Sequence, residues 1–196
     1  MGDVALRTLA PGLRVMEAPQ SFMGIELGTR MAVVDTGQGS LAYSPVPVSA
    51  EAMAQVGEVK WVLAPNLFHH LHVGPWVEAG CEAWGARGLP DKRSDLAFKG
   101  VVSGNEHPFG DAIESYALTC FGMTNEVVLL HRPSKTLISS DLVFNLSPEA
   151  PLLTRLAARS VCGYPGCRTT LLERFFMKRA AAREDLEHIL AWDFDR

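Results

Sequence analysis

The sequence predicts an α/β (α+β) fold in one domain, built from two sheets with helices on both outer faces. Short apolar runs separated by glycine turns fill residues 6–43, a pattern typical of an antiparallel meander. Strand and helix patterns then alternate over residues 41–84, as they do in α/β proteins. After a turn-rich region a similar order returns, with strands over residues 113–140 and helices from Pro148 onward.

The first elements are short strands joined by tight turns. Apolar runs over residues 6–9, 13–16, 22–27 and 31–34 predict four of them, and Pro11-Gly12 joins the first two. Because glycine and proline occupy the connections, we expect these strands to pair as hairpins.

The next part of the chain alternates between strand and helix. Residues 41–43 predict a strand, and Ser49 is a typical N-cap for a helix that Gly57 ends. Residues 60–64 then form a short apolar strand. The pattern after it predicts a helix start and a short helix over residues 68–79, with Gly74-Pro75 as a point where the helix could restart, followed by a strand at 81–84.

Residues 85–112 are rich in glycine and proline, and they predict a loop with one short helical turn. Strands are predicted over residues 113–121, 126–131 and 136–140, with a hairpin turn at 132–135.

The C-terminal part predicts helices with apolar inner faces. The last of them runs from about Glu184 to Trp192. Phe175, Phe176 and Met177 exceed what one buried helix face needs, so a homodimer interface is also expected here. The predicted inner faces consist of Leu152, Leu153 and Leu156, then Leu171, Leu172, Phe175 and Phe176, and finally Leu186, Ile189 and Leu190.

The composition excludes several classes of protein. In 196 residues, 18 Lys and Arg stand against 22 Asp and Glu, so charge-driven nucleic-acid binding is not expected. No apolar stretch is long enough to span a membrane, and no secretory signal is visible. The four cysteines are then expected to be reduced thiols of a cytoplasmic protein without a membrane partner.

Three of the six histidines, His69, His70 and His72, follow the apolar strand of residues 60–64. Imidazole is a common metal ligand, and α/β proteins place their sites at the carboxyl ends of strands. The spacing is not a defined zinc motif, so a cluster that only hydrogen-bonds backbone carbonyls is the open alternative.

Two carboxylates are further candidates for the same site. Asp141 follows the strand predicted at residues 136–140, where an aspartate serves as a metal ligand, a base, or a turn or cap residue. Glu126 begins another strand and is expected to face the same site.

The order of these parts resembles the metallo-β-lactamase superfamily. The resemblance extends from about Leu6 to about Asp195, and it is strongest to an uncharacterised bacterial branch with a degenerate metal motif. It implies a four-layer αββα sandwich and hydrolysis of esters, amides, thioesters or phosphodiesters with one or two metal ions. The segments that carry the resemblance are Ser44-Pro-Val-Pro47, Ala64-Pro-Asn-Leu-Phe-His-His70 and Ser140-Asp-Leu-Val-Phe144.

The superfamily's metal motif, H-x-H-x-D-H after a strand, falls on residues 65–70 of this sequence. Pro65 and Leu67 take the places of two histidines, and His69 takes the place of the aspartate. His70 is the one position that matches in type. The metal site that depends on those two histidines is therefore not expected to form.

Other positions of the superfamily pattern fall later in the chain. Met123 stands where the pattern has the histidine of a G-H-T-like turn, and Asp141 matches the bridging aspartate. The last histidine of the pattern follows a final strand that would lie beyond Arg196. The resemblance thus implies one domain over residues 1–196 without that final strand.

The resemblance leaves two functions open, and neither defines a substrate. One is a metal-dependent hydrolase with an altered mononuclear site, in which Asp141 and His70 are catalytic and zinc is the favoured ion. The other is a non-catalytic protein that holds no metal and binds a small molecule or a partner. The implied metal ligands of the first are His69, His70, His72, Asp141 and Glu126.

Overall fold

The computed structural model describes residues 5–22 and 25–196. In chain order the strands are β1 (Leu6–Ala10), β2 (Leu13–Ala18), β3 (Ser21–Phe22), β4 (Ile25–Glu26), β5 (Thr29–Asp35), β6 (Ser40–Tyr43), β7 (Trp61–Ala64), β8 (Glu82–Gly85), β9 (Phe98–Val101), β10 (Ile113–Ala117), β11 (Val127–His131), β12 (Thr136–Ile138), β13 (Phe144–Asn145) and β14 (Cys167–Arg168). The helices are α1 (Ala50–Val56), α2 (Gly74–Glu78), α3 (Leu89–Lys92), α4 (Leu152–Ser160), α5 (Leu171–Phe176) and α6 (Arg179–Leu190), with a 3-10 turn at Arg132–Ser134.

The strands form two main sheets. The larger has seven strands in the order β1-β2-β5-β6-β7-β8-β9, and the smaller has three in the order β10-β11-β12. The meander β1-β2-β5-β6 is antiparallel, whereas β6 to β9 run parallel to one another. Parallel strands place their carboxyl ends at one edge, so the loops that follow β6, β7 and β8 meet there.

The two sheets enclose a core, and helices cover them. Val127 and Leu129 of β11 belong to the large core cluster with the long sheet, whereas Val128 between them joins a second cluster with Ile189 of α6. This alternation places β11 between the large sheet and a helix. The predicted sandwich of two sheets with outer helices, αββα, is thus confirmed.

Helix α1 forms as its sequence predicts. Ser49 is its N-cap, and the Ser49 hydroxyl accepts a hydrogen bond from the backbone N–H of Ala52 at 3.2 Å. Gly57 ends the helix with φ of 84°, a conformation that costs glycine little because it has no Cβ.

Two predictions in the middle of the chain need correction. The helix predicted over residues 68–79 begins only at Gly74, because the preceding residues turn around the side chain of Asn66. The predicted loop contains an edge strand, β9, that the glycine content concealed. Gly100 lies there because a Cβ would collide with the ring of Trp84 on β8.

Several predicted strands are shorter than expected, among them the strand at residues 136–140, which ends at Ile138. The run 22–27 forms β3 and β4, which pair with each other, and residues 23–24 lie outside the described residues. The strand predicted over residues 113–121 ends at Ala117, where the chain turns towards α6.

Most of the predicted inner-face residues of the C-terminal helices are exposed, whereas Ile189 is buried as predicted, and the side chain of Leu172 lies outside the described residues. Leu152 and Leu153 of α4 are 64% and 66% exposed, and the buried residues of that helix are Thr154 and Ala158. Thr154 is inside because its hydroxyl donates to the carbonyl of Glu26. On α5 and α6, Leu171, Phe175, Phe176, Leu186 and Leu190 are exposed, Ile189 is buried, and α6 begins at Arg179 instead of near Glu184.

No helix in residues 5–22 and 25–196 is both long enough and apolar enough to cross a bilayer.

Candidate functional site

Polar residues converge where β6, β7 and β12 end. Ser44 follows β6, and Asn66 and His69 lie in the loop after β7. Ser140 and Asp141 follow β12. Because β6 and β7 are parallel neighbours, their ends lie side by side, and Ser44 contacts His69 across them. Hydrogen bonds from the loop after β7 then reach the end of β12 in the second sheet.

Asn66 is at the centre of this network and is fully buried. Its side-chain amide donates to Ser140 Oγ at 2.9 Å and to Asp141 Oδ2 at 2.7 Å. Its Oδ1 atom accepts from the backbone N–H groups of Phe68 at 2.8 Å and His69 at 2.9 Å. One side chain therefore shapes the loop after β7 and ties it to the second sheet.

His69 lies between a hydroxyl and a carboxylate. Its Nδ1 is 2.7 Å from Ser44 Oγ, and its Nε2 is 3.2 Å from Asp141 Oδ1. The neutral tautomer that satisfies both contacts carries its proton on Nε2 and accepts the Ser44 hydroxyl at Nδ1. Burial lowers the pKa of His69, but the hydrogen bond and charge of Asp141 outweigh it, so the pKa is raised.

Ser44 adopts a conformation that serine rarely takes. Its φ is 58°, and the residue is 2% exposed. Such left-handed backbone costs a non-glycine residue about 1 kcal/mol or more. The hydrogen bond between the Ser44 hydroxyl and His69 offsets part of this cost.

Glu126 holds the backbone of the segment that follows β12. It is 1% exposed, and it accepts the backbone N–H of Ser140 at 2.7 Å and that of Asp141 at 3.0 Å. Burial first, and then the charge of Asp141, raise the pKa of Glu126 to about 7. Glu126 thus lies beside Asp141, and both oxygens of its carboxylate accept hydrogen bonds from backbone N–H groups.

His70 and His72 do not join this network. Arg93 donates from Nη1 to His70 Nδ1 at 2.9 Å and to the His70 carbonyl at 3.2 Å. Burial, and then the charges of Lys92 and Arg93, lower the pKa of His70. His72 is half-buried, its pKa is lowered by burial, and no hydrogen bond links it to Asp141 among the described residues.

The predicted metal ligands therefore separate into two groups. His69, Asp141 and Glu126 lie together, whereas His70 and His72 lie apart. Over the described ranges, no three His, Cys, Asp or Glu side chains are grouped so that they could hold a metal ion. Both nitrogens of His69 and both oxygens of Asp141 and Glu126 already face protein partners. A catalytic zinc needs three protein ligands and an open position, which these residues do not fit.

Sequence reasoning did not identify Ser44, Asn66 or Arg93 as site residues. Asn66 carried a local signal, since an asparagine that follows a strand and a proline is typical of a turn. Arg93 carried no such signal, because a charged residue at this point of the sequence is typical of a solvated surface. Only the fold brings its guanidinium to His70.

Comparison with solved structures identifies the fold. A metallo-β-lactamase from Pontibacter korlensis superposes with a TM-score of 0.62 at 13% identity, over 81% of this chain and 84% of that chain. The DIM-1 metallo-β-lactamase gives 0.60 at 13% identity, over 93% and 98%. The mono-zinc form of FIM-1 from Pseudomonas aeruginosa gives 0.60 at 8% identity, over 93% and 96%. The sequence matches no protein-family model, and no curated protein is significantly similar to it.

The chain has the metallo-β-lactamase fold. The identities of these matches are low, so they concern the fold alone and assign no activity to this chain. The loop after β7 carries a hydrogen-bonded network built on Asn66 and His69.

Proposed function

We propose that the chain is a non-catalytic binding protein on the metallo-β-lactamase fold, in which a hydrogen-bonded network stands where a metal centre would be expected. One observation carries this proposal: the ligand atoms of His69 and Asp141 are already used by Ser44, Asn66 and each other. The chain has then kept the fold without the metal chemistry, and it acts by binding.

The energetics of the network support this reading. A metal ion on His69 and Asp141 would break the contact between those two side chains, and more ligands would have to displace Ser44 or Asn66. Each displaced hydrogen bond to a charged group costs about 1.5–3 kcal/mol. With two side chains instead of three as ligands, the metal has too few contacts to repay that cost.

Elemental analysis and turnover measurements test the proposal together. Untagged protein is analysed for zinc, manganese and iron, then heated with and without added zinc, and assayed with ester, lactone, thioester and phosphodiester substrates. We expect substoichiometric metal, an unchanged melting temperature and no turnover. Stoichiometric metal that is lost in His69→Ala, together with metal-stimulated turnover abolished in Asp141→Ala, would refute it.

A metal-dependent hydrolase with an altered mononuclear site is the second candidate. It is favoured by the short distance between His69 Nε2 and Asp141 Oδ1, 3.2 Å, and by the partial exposure of the two side chains, 26% and 19%. This candidate requires one divalent metal ion, and the sequence resemblance favours zinc. The same measurements separate the two candidates, because only the second predicts bound metal and metal-stimulated turnover.

The proposal includes a homodimer and a cytoplasmic location. Exposed apolar side chains on α4 and α5, such as Leu153 at 66% and Phe175 at 82%, favour self-association. Light scattering over a concentration series tests this, and a monomer throughout would refute it.

The four cysteines are free, which favours a reducing compartment, and cell fractionation checks the location.

A further inference from the structure

A cavity of about 430 Å³ lies between the second sheet and the C-terminal helices. Its volume falls within the range of small-molecule sites. It begins at Leu142, directly after Asp141, but none of Ser44, Asn66, His69 and Asp141 lines it. It is therefore a separate place from the polar network.

The walls of this cavity are mainly apolar. Phe121 and Leu142 contribute from the loops after β10 and β12, and Met177 and Leu186 contribute from the helical side. Leu186 remains 45% exposed although its helix neighbour Ile189 is buried. The cavity thus leaves apolar surface in contact with water, and a ligand with an apolar body would cover it.

One carboxylate, Asp185, lies in the cavity wall, but it is not free to bind a ligand. It is 1% exposed and accepts hydrogen bonds from the Tyr116 hydroxyl, from the backbone N–H and hydroxyl of Thr119, and from the backbone N–H of Cys120. These donors neutralise much of its field, and the carboxylate holds the loop after β10 against α6.

The charges available to a ligand are positive. Arg168 and Arg174 line the cavity and are exposed, and within the described ranges neither forms an ion pair. Arg168 donates from Nε to the carbonyl of Pro165, which orients its guanidinium and leaves its terminal nitrogens for another acceptor. Guanidinium groups bind carboxylates and phosphates through paired hydrogen bonds.

We infer that this cavity binds an organic anion with an apolar body, such as a medium-chain carboxylate. The apolar part contacts Phe121, Leu142 and Leu186, and the acidic group meets Arg168 and Arg174. This inference rests on the proposed binding function and deepens it by naming the class of ligand.

Calorimetric titration with decanoate, and with decanol as its uncharged counterpart, tests the site. We expect saturable binding of decanoate and at least fivefold weaker binding of decanol, since two exposed charge pairs contribute about 1 kcal/mol. The Arg168→Gln/Arg174→Gln double variant should lose this preference. Leu186→Ser should weaken both ligands at least threefold, because it removes apolar contact area.

Matched controls lie on α6 outside the cavity. Arg183→Gln removes an exposed arginine and Leu190→Ser removes a more exposed leucine, and both should bind decanoate as the wild type does. Absence of saturable decanoate binding, or equal losses in Leu186→Ser and Leu190→Ser, would overturn the site. That failure leaves the metal and turnover results untouched, whereas metal-stimulated turnover would refute the proposed function even where decanoate binds.

Discussion

Replacing Asn66 by aspartate tests the polar network, because the only change is that an oxygen atom replaces the side-chain NH₂ group. The side chain keeps its shape, and Oδ1 still accepts from Phe68 and His69. The donor that joins Ser140 and Asp141 becomes a second carboxylate oxygen, 2.7 Å from Asp141 Oδ2. The variant therefore converts an attractive contact into a repulsive one inside a buried site.

The expected loss of stability for Asn66→Asp follows from these contacts. The bond to the Asp141 carboxylate contributes about 2 kcal/mol and that to the Ser140 hydroxyl about 1 kcal/mol. Repulsion between carboxylates adds to this, so we expect a loss of roughly 3–5 kcal/mol at pH 7.5. Two carboxylates at this distance share a proton as the pH falls, so the deficit should be at least about 1 kcal/mol smaller at pH 5.

Urea unfolding followed by tryptophan fluorescence measures both quantities, with wild type and variant compared at each pH. Asn145→Asp is the matched control, because it introduces the same charge at an exposed residue of β13. A deficit for Asn66→Asp below about 1 kcal/mol at pH 7.5, or one that does not change with pH, would contradict the network as described.

The remaining predictions concern buried charge and the corrected helix faces. Glu126 has a folded pKa of about 7 against an ordinary 4.5, so its contribution to wild-type stability is complete below pH 4.5 and is lost as the pH rises through 7. Urea midpoints should register a loss of about 3 kcal/mol across that window, and Glu126→Gln should flatten it. Asp185→Asn should lower the free energy of unfolding by at least about 2 kcal/mol, since both oxygens of Asp185 accept hydrogen bonds and an amide nitrogen cannot accept. The exposed control Asp193→Asn should not lower it, and equal effects of the two variants would contradict this role of Asp185. Leu153→Lys should change stability by less than about 0.5 kcal/mol, whereas Ile189→Ala should cost about 2–4 kcal/mol. A loss in Leu153→Lys as large as that in Ile189→Ala would place Leu153 on the inner face that sequence predicts.

Local signals in the sequence predicted the meander and the first helix well. Ser49 and Gly57 define α1 because capping depends on neighbouring backbone groups alone. The apolar runs that became β2, β5 and β7 are almost fully buried, so hydrophobicity and burial agree there. Strand β9 was missed because Gly100 breaks the pattern, and its reason is the ring of Trp84 on another strand.

The C-terminal helices show where local reasoning fails. Their leucines follow the helical period, which indicates one apolar face without saying whether that face meets the core. Helix α4 packs against β4, where the Thr154 hydroxyl donates to the carbonyl of Glu26, so Thr154 and Ala158 face inward and the leucines face outward. Burial in this region depends on the position of another element, and the helical periodicity of the sequence carries no information about that position.

The sequence by itself determined the fold class, the strands of the large sheet except β9, and the fact that His69 and Asp141 each follow a strand. The tertiary structure decided which side chains meet: it brought Asn66 to Asp141, placed Ser44 on His69 and turned His70 to Arg93. These contacts join residues far apart in the chain, and their geometry depends on sheet pairing and on where each loop turns. Residue types therefore name the candidates for a site, but only the packed fold fixes which of their atoms remain free to act.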